Sequence, residues 1–142
     1  MNRGIDKEAI ENPKIKGKIT KANPIRVDGL ITLEMDNAIA GISEALKIEK
    51  AAAVRMLLWF GLRFAVHRKL PQIADEQGFK YGSQSVHRID TRISQDMLDA
   101  IEELMRIHKL SKSGIVKTLL YWALENIGNY TIADLLKSSP RK

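Results

Sequence analysis

Cysteine is absent from the 142 residues. Disulfides and thiolate metal sites are therefore excluded, and a reducing compartment fits. Histidine is scarce. His67, His87 and His108 stand far apart, so no metal site is expected. There is no helical histidine pair, no phosphate-cradling glycine loop and no nucleophile–base arrangement. An enzyme is not expected, and neither is a cofactor. The N-terminal stretch lacks the apolar core of a signal peptide. The most apolar run, "AAAVRMLLWFGLRFAV" (Ala51–Val66), is too short for a comfortable membrane span, and Arg55 and Arg63 interrupt it. It reads as a buried helix, not a membrane element.

What the chain does have is an ordinary apolar content of 44% and a net charge of +6, with a pI near 9.6. The first permits a packed core. The second favours anionic partners such as nucleic acid, without requiring one.

Residues 1–23 read as a basic arm, in which Lys14, Lys16, Lys18 and Lys21 alternate with apolar or small residues. From residue 24 the pattern sharpens. "IRVDGLI" (Ile25–Ile31) alternates like a strand with one buried face. Thr32 is then an N-cap, Glu34 supplies first-turn negative charge, and Met35, Ile39, Ile42 and Leu46 lie on one helix face. A second helix starts near Lys47–Lys50 and is apolar almost all round, to Leu70 and Pro71. "PQIADEQGFKYGSQS" (residues 71–85), with a proline and two glycines, reads as a linker. In residues 86–128 the pattern starts again. "HRIDTRI" is the strand, Ser94 the cap, and Met97, Ile101 and Leu104 the stripe. Ser111 caps a further helix, with Ile115, Val116, Leu119, Leu120 and Ala123 facing inward and Gly128 as its C′ residue. Residues 129–142 hold a short helix, "TIADLLK", opened by Thr131 with Asp134 three residues on, and a frayed tail.

The two halves superimpose without a gap at an offset of 62, which places Ile31 on Ile93. Arg26 then meets Arg88, Asp28 meets Asp90, Thr32 meets Ser94, Lys47 meets Lys109, and Leu57–Leu58 meets Leu119–Leu120. Matching a strand, a cap, two helices and a turn in one register marks a tandem repeat of a strand–helix–helix unit. One such unit is too short to bury its helices, and its single strand lacks a partner. A second copy answers both needs. The expected fold is mainly α with one short antiparallel β-ribbon, two tandem units forming an intertwined pseudo-dimer.

"RIDTRISQDMLDAIEELMRIHKLSKSGIVKTLLYWAL" (Arg88–Leu124) resembles the ribbon-helix-helix superfamily of MetJ, Arc and CopG. The likeness rests on the alternating strand with basic ends, the polar cap followed by an acid and an apolar residue, and the serine-rich start of the second helix. The first copy, Arg26–Leu62, resembles it less tidily, and two copies in one chain are similar to TraY-like proteins. The resemblance implies double-stranded DNA as partner, read in the major groove by the ribbon. The base-contacting positions would be Arg26, Asp28 and Leu30 in the first copy and Arg88, Asp90 and Arg92 in the second. It also implies a phosphate site at the start of each second helix: Ser111, Lys112, Ser113 and Lys109 in the second copy, Lys47 and Lys50 in the first.

The copies differ at these positions. Leu30 stands where Arg92 does, Glu49 where Ser111 does, and Ala51 where Ser113 does. The second copy is thus expected to be the stronger reader. The expected function is a sequence-specific transcriptional regulator, a repressor of plasmid or phage type, cytoplasmic and nucleoid-associated. Self-association into higher oligomers on DNA is implied as well, and the C-terminal segment could dock a protein partner. The alternatives are a DNA-architectural accessory factor for plasmid transfer or partition, and an antitoxin-type interaction protein.

Overall fold

The computed structural model describes residues 23–81 and 86–129. Residues 1–22 of the basic arm and the "TIADLLK" segment lie outside them. In chain order the elements are β1 (Ile25–Ile31), α1 (Leu33–Leu46), α2 (Lys50–Phe64), α3 (Leu70–Tyr81), β2 (His87–Ile93), α4 (Gln95–His108) and α5 (Lys112–Asn126). Short 3₁₀ turns cover His67–Lys69 and Ile127–Asn129. The molecule is mainly helical, with one two-stranded antiparallel sheet made by β1 and β2.

Strand alternation decides what each face of the ribbon does. Val27, Ile31, Ile89, Thr91 and Ile93 are buried. Arg26, Asp28, Leu30, Arg88 and Asp90 point outward and are exposed. Each strand then hands over to a capped helix. The Thr32 hydroxyl accepts from the Met35 N–H at 3.2 Å, and the Ser94 hydroxyl from the Met97 N–H at 3.1 Å. Such a cap satisfies a donor that the helix itself leaves unbonded.

Packing crosses between the halves. β2 lies on α2, β1 lies on α5, and α2 and α5 pack on each other. The core residues come from both halves, among them Met35, Ile39, Leu57, Phe60, Met97, Ile101, Leu119 and Leu120. At the α2–α5 crossing, a Cβ added to Gly61 would lie 3.1 Å from the Leu119 carbonyl oxygen, so glycine is what permits this approach.

Three expectations need correction. The helix expected to run to Leu70 ends at Phe64: Ala65 is extended at φ −67° and ψ 149°, and its N–H bonds the Gly61 carbonyl. The His67 ring Nε2 donates to the Leu62 carbonyl at 2.8 Å, closing off the helix end. Residues 71–81, most of the expected linker, are helical, because α3 runs from Leu70 to Tyr81; residues 82–85 lie outside the described residues. Pro71 is compatible with the first turn, where no internal bond is lost. Leu70, Ile73 and Gln77 form a buried stripe on α3, which packs against α5. Gly128 is no left-handed C′ residue: it sits inside the 3₁₀ turn, and Ile127 before it keeps the helical φ of −64°. The left-handed caps are Lys47 and Lys109, at φ 60° and 58°. These two lysines are equivalents at the 62-residue offset.

Among the described residues no helix is long and apolar enough to cross a membrane, and no group of metal-ligating side chains is assembled.

Candidate functional site

The antiparallel register sets Arg26 opposite Arg92, Asp28 opposite Asp90, and Leu30 opposite Arg88. All six expected base-contacting residues therefore share the outer face of the ribbon. The register is centred on Asp28 and Asp90, which are also equivalents under the sequence offset. Strand pairing and sequence repeat, two unrelated observations, thus share one centre.

Charges on this face pair diagonally across the strands. Arg88 Nη1 donates to Asp28 Oδ2 at 2.8 Å, and Arg26 Nη2 to Asp90 Oδ2 at 3.3 Å. The two pairs are equivalents of each other under the offset. Both are about half exposed, so each contributes little to stability. Each orients a guanidinium while leaving most of its five N–H donors for other partners. The remaining two positions break the symmetry. Arg92 is half-buried and its Nη1 donates to the Pro24 carbonyl at 3.1 Å, whereas Leu30 is 44% exposed.

Both second-helix N-termini flank the ribbon. On one side Lys50, Ala51 and Val54 at the start of α2 join Arg88, Ile89 and Asp90 around an open hollow of about 230 Å³. Lys50 is ion-paired with Asp36 of α1. On the other side Ser113, at the start of α5, approaches β1: a Cβ added to Gly29 would lie 3.7 Å from its Oγ. Ser111 caps α5, accepting from the Gly114 N–H at 3.0 Å, but Glu49 makes no such bond at α2. Lys47, Lys109, Ser111 and Ser113 are exposed, and Lys112 is half-buried. The structure thus gathers the expected phosphate-contacting residues into two groups, one at each helix start.

Sequence reasoning missed the residues that hold the ribbon from beneath. Thr91 is buried and its hydroxyl donates to the Ala51 carbonyl, tying β2 to the start of α2. Arg55 is fully buried and its Nη1 donates to the Arg92 carbonyl at 3.4 Å. Burial pushes its pKa down from the ordinary arginine value. Its equivalent under the offset is Lys117, also lowered by burial. A cation kept at the same position of both copies was the available signal.

No family model matches the chain, and no curated protein or solved structure matches it.

Proposed function

We propose that this chain is a tandem ribbon-helix-helix protein whose two units form an intertwined pseudo-dimer within one polypeptide. In this reading it binds double-stranded DNA sequence-specifically, as a transcriptional regulator of repressor type. One observation carries it: the six outward ribbon residues lie on one face, in a register centred on two repeat equivalents, between two lysine-bearing helix starts, one of which also carries serines.

The dimensions are compatible with the task. A seven-residue strand is about 23 Å long, and two paired strands are about 5 Å apart. Such a ribbon enters a major groove about 12 Å wide. Arg26, Arg88 and Arg92 would donate to guanine O6 and N7, and Leu30 would pack on a thymine methyl. Helix starts on either side would meet phosphates through backbone N–H groups and the helix dipole, helped by Lys47, Lys50, Lys109 and Lys112.

The test is binding of the full chain to a random-sequence duplex pool at several salt concentrations, with sequencing of the bound fraction. The reading expects an enriched motif that Arg88→Ala relaxes. It also expects a log–log salt slope of about −3 to −4, from four lysines on phosphates. Unselective binding with a steep slope would favour the architectural role. Absence of binding at low salt would overturn both.

A further inference from the structure

The ribbon has an acidic centre that its stability does not explain. Asp28 and Asp90 face each other directly across the strands, an arrangement of like charges that destabilises a sheet. Their ion pairs with Arg88 and Arg26 are half exposed, and such pairs return little. Three arginines and two aspartates leave this face with a formal charge of only +1. A surface meant simply to attract DNA would not carry two carboxylates at its midpoint, because every duplex repels them.

We infer that the Asp28–Asp90 pair is a specificity gate, which rejects base pairs that set an acceptor against a carboxylate at the ribbon's centre and admits those oriented to set their amino group there. The inference rests on the reading of the ribbon as a major-groove reader. Its chemistry is one-sided. An ionised carboxylate accepts hydrogen bonds and donates none. In the major groove, guanine N7 and O6, thymine O4 and adenine N7 are acceptors. Donors come only from the amino groups of cytosine N4 and adenine N6. Against an acceptor, the carboxylate loses its water and gains no bond. Against an amino group it recovers one. The two carboxylates are equivalents about the centre of the ribbon, so they query two neighbouring positions, one on each side of that centre. Arg26 and Arg88, tied diagonally to the same carboxylates, would reach guanines beside those positions.

Asparagine is the informative replacement. It has nearly the same shape, no charge, and both donors and acceptors, so it would tolerate any base. The experiment uses the full chain with Asp28→Asn, Asp90→Asn and both together. For each, affinity is measured for a random-sequence duplex and for the duplex that the wild type enriches, alongside the thermal midpoint. The double variant should bind the random duplex at least about tenfold more tightly, in keeping with the cost of a mismatched contact. Its affinity for the enriched duplex should change less, and its own enriched pool should lose preference at the two central positions alone. An unchanged or weaker affinity for the random duplex, with the thermal midpoint retained, would overturn the gate, as would a retained central preference. If a variant loses its fold, the wild-type pool still decides: guanine or thymine facing both carboxylates would overturn the inference. If the wild type binds no duplex at all, the DNA reading fails and the gate with it. If the wild type selects a motif that the Asn variants select equally, the gate alone fails.

Discussion

Phe60 stacks on Trp122, with ring centroids 5.3 Å apart and planes 28° from parallel. These residues are equivalents at the 62-residue offset, as are Asp28 and Asp90, which face each other in the ribbon. Contacts between equivalents therefore occur both in the sheet and deep in the helical layer. Both join residues of one chain, so folding should not require a second molecule. The thermal midpoint of the full chain should be independent of protein concentration. Phe60→Ala should cost about 3–5 kcal/mol in urea unfolding, as expected for a fully buried aromatic. A midpoint that rises with concentration would place the pairing between chains.

Gly61 and Gly41 should respond oppositely to the same substitution. Both are helical, and alanine ordinarily stabilises a helix by about 1 kcal/mol relative to glycine. Nothing lies within 4 Å of a Cβ added at Gly41, so Gly41→Ala should gain that amount. A Cβ at Gly61 meets the Leu119 carbonyl oxygen at 3.1 Å and Leu119 Cβ at 3.2 Å. Overpacking there should cost about 1–3 kcal/mol. Chemical denaturation of the two variants measures the contrast.

Glu49→Ser should repair the uncapped start of α2. Its backbone already has N-cap geometry, at φ −70° and ψ 154°, yet its side chain makes no capping bond. Serine should add about 0.5–1 kcal/mol, while Ser111→Ala should remove about 1 kcal/mol from the equivalent site. Thermal unfolding reads both. On the proposed function, Glu49→Ser should also tighten duplex binding at low salt, by removing a carboxylate from beside a phosphate.

Arg55 should be more sensitive to truncation than to apolar replacement. Its guanidinium is fully buried and supports β2 through the Arg92 carbonyl. Arg55→Ala leaves that carbonyl without this donor and opens a cavity, at about 3–5 kcal/mol. Arg55→Met loses the same hydrogen bond but fills most of the space, with no charge to desolvate, and should lie within about 1.5 kcal/mol of wild type. Urea unfolding separates these outcomes.

Local chemistry made much of this molecule legible before its structure. The strands follow from alternation in "IRVDGLI" and "HRIDTRI", and the caps from Thr32, Ser94 and Ser111. The outward display of Arg26, Asp28, Leu30, Arg88, Asp90 and Arg92 follows from the same period. What stayed hidden depends on contacts distant in sequence. α3 was obscured because Pro71 and Gly78 outweigh a stripe of Leu70, Ile73 and Gln77 that makes sense only against α5. The end of α2 depends on the His67 ring, which periodicity does not report. The diagonal ion pairs needed the register, and Arg55 and Thr91 needed the packing of β2 on α2.

The central claim is that the two strands read DNA as unequal halves of one ribbon, and Leu30→Arg tests it most directly. The substitution makes the outer face of β1 match that of β2 as Arg, Asp, Arg. Random-pool selection and sequencing should give a non-palindromic motif for the wild type and a motif closer to two-fold symmetry for Leu30→Arg. The new preference should be for guanine at the position that Leu30 faced. Identical motifs for both proteins, or no motif for either, would contradict the account.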